Sequence, residues 1–184
     1  MSVRHALLAL LNEGPKYGLQ LQQEFEASTS NVWPLNIGQV YSTLQRLERD
    51  GLIVPVENGS PHSQKGFQST EIGETEILEW LRTPPAAEPP PRDELVIKIL
   101  VALQVPGIDV PEILQIHRRY MLETMQAYTR LKATVAEDDI SLLLIVDAQV
   151  FRLEGVVRWL DIADARIRQQ TNNLNSLPQR EGER

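Results

Sequence analysis

A chain of 184 residues with 42% hydrophobic and 23% charged side chains is globular, with length for one ordinary domain or two small ones. It has no cysteine, which excludes disulfides, thiol sensing and thiolate metal sites, and His5, His62 and His117 lack metal-ligand spacing. The formal net charge of −7 runs against nucleic-acid binding unless cations are concentrated locally.

Ser2 can cap a first helix whose apolar residues Val3, Ala6, Leu7, Leu10 and Leu11 recur at helical spacing, and Gly14-Pro15 stops it. This start does not read as a signal peptide, and no apolar run is long enough for a bilayer span. A cytoplasmic protein with no membrane partner is expected. A second helix is predicted from near Lys16, burying Tyr17, Leu21 and Phe25 and ending in the Ser28-Thr29-Ser30 loop. Trp33-Pro34 leads to a third, with Asn36 as N-cap and Gly51 as C-terminal stop. LIVPVENG and QKGFQST read as two short strands around a Gly59-Ser60-Pro61 tip, and Pro55 makes the first an edge strand. Thr70 opens a fourth helix with Ile72, Ile77, Leu78 and Leu81 on its apolar face.

Three helices and then a hairpin is the order of a winged helix-turn-helix. On the third helix Val40, Leu44 and Leu47 form the inward stripe, which turns Gln39, Ser42, Gln45, Arg46 and Arg49 outward. Glutamine and arginine carry paired groups that match adenine and guanine edges, and serine reaches bases or phosphates. Gly38 lets the first turn approach a phosphate. Taken alone, such a face is a solvated surface; helix order, hairpin and early glycine together favour a groove. Arg49, flanked by Glu48 and Asp50, is open to local pairing, and Tyr41 to either edge packing or a phosphate contact.

Thr83 to Asp93, TPPAAEPPPRD, holds five prolines and reads as a stiff spacer. Beyond it the pattern is helical. ELVIKILVAL is a short buried helix halted near Pro106-Gly107, and Asp109 can cap the next, with Pro111 in its first turn. Leu114, His117, Met121, Thr124, Met125, Tyr128, Leu131 and Val135 make its stripe. After the turn AEDDI, a last helix carries Leu143, Val146, Val150, Leu153, Val157, Leu160, Asp164 and Ile167, which predicts an antiparallel helical hairpin. Leu142, Leu144, Ile145, Phe151, Val156, Trp159 and Ile162 fall outside that stripe and call for a neighbour or a twin. An isologous homodimer is expected, centred on the last helix through Leu143, Val146, Val150, Leu153, Val157, Trp159 and Leu160.

The expected fold is mainly α with a small β-hairpin wing. A winged helix-turn-helix DNA-binding domain spans 1–82 and a Pro-rich linker 83–93. A helical dimerisation domain with room for an effector spans 94–172, and 173–184 is an unpacked, disordered tail. Aromatic residues at helical spacing belong first to core or interface; the effector reading places Trp80, Tyr120, Phe151 and Trp159 around a small apolar or aromatic ligand. No phosphate loop, nucleophile with base or carboxylate-histidine cluster is present, so an enzyme, a cofactor and a metal are not expected.

These residues resemble the PadR family of transcriptional regulators. Tyr17-Gly18 matches the family's YG, and WPLNIGQVYSTLQRLERDGL, Trp33 to Leu52, keeps Gly38, Tyr41, Leu44, Arg46, Leu47, Glu48 and Gly51 in register. FQSTEIG, Phe67 to Gly73, resembles the family's YELTxxG junction. The resemblance implies a homodimeric repressor, less often an activator, on a pseudo-palindromic double-stranded DNA operator, of the subgroup with a larger helical second domain and in some members responsive to a small molecule. Carried over by position, the DNA-binding set is Gly38, Gln39, Tyr41, Ser42, Gln45 and Arg46, with Lys65 on the wing. The wing departs from the pattern, because SPHSQKG offers only Lys65 and His62, and Ser69 stands at an apolar position. Residues 1–83 hold six cations (Arg4, Lys16, Arg46, Arg49, Lys65, Arg82) against ten carboxylates. Modest affinity, steeply lost with salt, is expected. The alternative is a winged-helix protein-interaction scaffold that reads no DNA.

Overall fold

The computed structural model describes residues 2–56, 65–85 and 92–175. The chain separates into two compact units, Met1–Ala87 and Glu88–Arg184. It is mainly helical, with one small antiparallel sheet. Most of the predicted linker (86–91), the wing tip (57–64, with His62) and the tail from 176 lie outside the described residues.

In the first unit α1 (Ser2–Asn12) and α2 (Gly18–Ser28) pack with α3 (Ile37–Arg49), and α4 (Glu71–Arg82) closes on α1. Leu7, Leu8, Leu11, Leu21, Val40, Leu44 and Leu47 are fully enclosed. Leu8 belongs to that core although the predicted stripe of α1 omitted it, and Leu10 is only half-buried. The sheet has three strands rather than two, in the order β1-β3-β2: β1 (Lys16–Tyr17), β2 (Ile53–Val56) and β3 (Gly66–Ser69). Lys16 and Tyr17, predicted to start the second helix, instead pair with Phe67 and Gly66, and α2 begins at Gly18. β2 is an edge strand, as Pro55 indicated, since its missing N–H withholds a ladder bond.

Lys16 is almost fully enclosed, with its ammonium held between Glu13 and Glu24. Burial opposes the charge, but the hydrogen bonds and charges of the two glutamates outweigh it and raise its pKa above 10.5. Lys16 therefore ties the α1–β1 turn to α2 and is no part of a surface cation strip. On α4 only Ile77 of the predicted apolar face is buried; Ile72, Leu78 and Leu81 are exposed. The inward face runs through Gly73 and Ile77 because Gly73 lies against the Leu52 carbonyl, where a Cβ would collide.

In the second unit α5 (Glu94–Ala102) and α6 (Val110–Lys132) start at Asp93 and Asp109. Their carboxylates accept the Val96 and Glu112 amides, each at 3.1 Å. α7 (Ile140–Asn175) is the longest element, and its helix continues three residues into the segment read as a disordered tail. Arg118–Asp161 (2.6 Å) and Lys132–Asp147 (2.5 Å) pair early with late positions, so α6 and α7 run antiparallel. Leu114 and Leu160 pack in the seam, joined by Ile99 of α5, and Val146 of α7 and Ala102 of α5 are buried as well. α5 is not buried as predicted: Ile97, Leu100 and Val101 stand about half exposed. An unbroken apolar run has no period from which to choose its inward side. Among the described residues, no helix is long and apolar enough to cross a membrane.

Candidate nucleic-acid interface

The start of α3 is fixed by the turn before it. Ser30 and Asn31 take left-handed backbone angles (φ 49° and 58°), a region that costs most residues energy and must be held by its surroundings. The Asn31 amide donates to Glu26 O at 2.7 Å, while Leu35, itself buried, donates to Glu26 Oε1 and accepts from Gln22 Nε2. Asn36 then caps the helix, its side chain accepting the Gly38 amide at 2.7 Å. The cap changes the reading of Gly38: its N–H is engaged by Asn36 and is not left free for an anion. At the other end Gly51 turns the chain with φ 72°.

With Val40, Thr43, Leu44 and Leu47 enclosed, about 3.6 residues per turn bring Gly38, Gln39, Tyr41, Ser42, Gln45, Arg46 and Arg49 to the exposed side. Arg46 lies back along its own helix, Nε donating to Ser42 O (3.2 Å) and Nη2 to Thr43 Oγ1 (3.1 Å). Among the described residues it has no carboxylate partner. Arg49 pairs with Asp50, which also holds Arg4, so this cation is used locally. Lys65 donates to Glu48 at 2.9 Å, which neutralises the wing-root cation against α3 in the free chain.

Two contacts escaped sequence reasoning. A Cβ on Gly18 would stand 2.8 Å from the Tyr41 ring, so the YG glycine of α2 is where Tyr41 packs. His5 of α1 stacks on Trp80 of α4, centroids 4.7 Å apart and planes within 3°, and reaches Glu76 at 3.3 Å. Trp80 is thus engaged inside its own unit. Only Gly18 had a signal in the sequence, a glycine placed where a helix begins.

In the second unit the effector candidates separate. Tyr120 lines a groove of about 440 Å³ with His117, Lys98 and Met121, whereas Trp159 lines another of about 280 Å³ with Arg152 and Gly155. Phe151 lines neither and is 69% exposed. Val146 and Leu160, expected at a subunit interface, are 1% exposed within the single chain. They face their own hairpin and are not available to a twin. Leu143, Val150, Leu153, Val157 and Trp159 are half-buried.

Two helices at a turn, the second with a polar outer face, followed by a paired wing root, define a winged helix-turn-helix. Residues 7–79 match the transcriptional regulator PadR-like family, and residues 91–168 match the virulence activator alpha C-terminal family. The negative transcriptional regulator PadR of Bacillus subtilis (strain 168) is 22% identical over 171 residues, covering 86% of this chain and 93% of that protein. The crystal structure of Bacillus subtilis PadR in complex with operator DNA aligns with a TM-score of 0.59 at 19% identity, over 91% of this chain and 99% of that one. The Vibrio cholerae virulence activator AphA aligns at 0.57, with the same identity and coverage. A further Bacillus subtilis PadR structure, in complex with p-coumaric acid, aligns at 0.59 with 21% identity, over 90% of this chain and 94% of that one. Residues 7–79 thus carry the match to the PadR-like family, and the relative that this chain resembles over most of its length is a transcriptional regulator.

Proposed function

We propose that the chain is a sequence-specific DNA-binding repressor that acts as a homodimer on a pseudo-palindromic operator. The observation that carries this reading is the outer face of α3, where Gln39, Ser42, Gln45 and Arg46 stand together on a capped helix. Lys65 joins them by exchanging Glu48 for a phosphate, a small cost because exposed ion pairs are weak. One winged domain reads a half-site, so a second copy is needed about one helical turn, roughly 34 Å, along the duplex. The twin is supported by the side of α7 turned away from α6: Ile140, Leu144, Phe151 and Ile162 are exposed there at helical spacing, with small Ala148 and Gly155 between them. Bacillus subtilis PadR has been crystallised both with operator DNA and with p-coumaric acid. A small aromatic acid is accordingly the effector class proposed here, suited to an apolar groove rimmed by Lys98 and His117.

Electrophoretic retardation of the DNA upstream of its own gene tests the reading. A retarded band holding two chains per duplex is expected, and its intensity should fall when a binding aromatic acid is added. The acidic balance and the Glu48–Lys65 pair favour a second reading, a protein-interaction scaffold. An absent band at low salt would decide for the scaffold.

A further inference from the structure

Gly18 is the first residue of α2 and is buried, yet its backbone angle is not in the left-handed region. Glycine is a poor helix former, so conformational freedom does not account for it here. Space does. A Cβ at Gly18 would meet Tyr41 Cζ at 2.8 Å, Cε1 at 2.9 Å and Oη at 3.1 Å, the far end of the ring and its hydroxyl. Gly18 is also anchored from the other side, since Tyr17 is held in the sheet opposite Gly66.

We propose that Gly18 is a positioning residue for DNA contact: it is the seat on which the Tyr41 ring lies, and the seat sets where the phenol hydroxyl meets the duplex backbone. The inference rests on α3 reading DNA. Tyr41 is 41% exposed, so a methyl group at position 18 displaces the side chain outward and leaves the backbone in place. Alanine also favours helix, so Gly18→Ala moves the ring without weakening α2.

The test is a double-mutant cycle on the full-length chain, read by affinity for the retarded upstream duplex and by thermal midpoint. Gly18→Ala is expected to keep the midpoint and to lower affinity about tenfold, the scale of one lost hydrogen bond. Tyr41→Phe, which keeps the ring and removes the hydroxyl, should match that loss. In a Tyr41→Ala background, Gly18→Ala should cost nothing further. Parent-like binding by Gly18→Ala, or an undiminished loss in the Tyr41→Ala background, overturns the proposal while the DNA reading stands. A parent chain that binds no upstream duplex overturns both.

Discussion

Arg46 concentrates the base-reading claim in one side chain. Its guanidinium rests on Ser42 O and Thr43 Oγ1, both on its own helix, so reaching a base costs no ion pair. Arg46→Ala is predicted to weaken operator binding by about 1–3 kcal/mol, the range of one bidentate contact; a binding isotherm equal to the parent's would remove it from the reading set. Gly73 belongs to stability, not to reading. A Cβ there strikes the Leu52 carbonyl, which is backbone and cannot swing aside, so Gly73→Ala should cost about 1–3 kcal/mol in a denaturant titration. Asn36, Thr70 and Asp109 were legible as helix starts because a cap bonds amides two or three residues ahead, whereas Asp93, taken as the end of the linker, was not read as the cap it is. Gly18 and Gly73 were not explained, since each is shaped by a partner far along the chain.

At the scale of elements, periodicity placed α3 and the α6–α7 seam, where polar and apolar residues alternate clearly. β1 was absorbed into a helix because two residues carry no period. On α7 the sequence stripe identified the seam but also assigned Val146 and Leu160 to a twin, when both are already buried within their own chain. The exposed side of α7 gives the sharper prediction: Phe151→Glu should yield a monomer of unchanged helicity, measured by sedimentation and circular dichroism, whereas a persisting dimer would move the interface elsewhere. Lys16 makes a pH prediction for the first unit. Its folded pKa is raised, so its stabilisation is complete below pH 10.5 and is lost as pH climbs through the higher folded value. Thermal midpoints should drop over that alkaline range in the parent and less steeply in Lys16→Gln; parallel curves would show that the Glu13 and Glu24 contacts carry no linkage.

For the whole molecule, a net charge of −7 leaves DNA recognition to a few cations. Lys16 is buried and paired, Arg4 and Arg49 hold Asp50, and Arg82 lies in the last turn of α4, not on α3. In the proposed reading Arg46 and Lys65, the latter released from Glu48, meet the duplex. Two such cations in each of two chains give a log–log salt slope of roughly −3 to −4, about a hundredfold loss over a fourfold rise in salt. A slope near zero would contradict phosphate contact. The most direct measurement is affinity across operator half-sites altered one base pair at a time, for the parent and for Arg46→Ala. A groove-inserted α3 predicts a position where the parent discriminates by about 1–3 kcal/mol and the variant does not. Indifference of the parent to every substitution would contradict base reading by this helix.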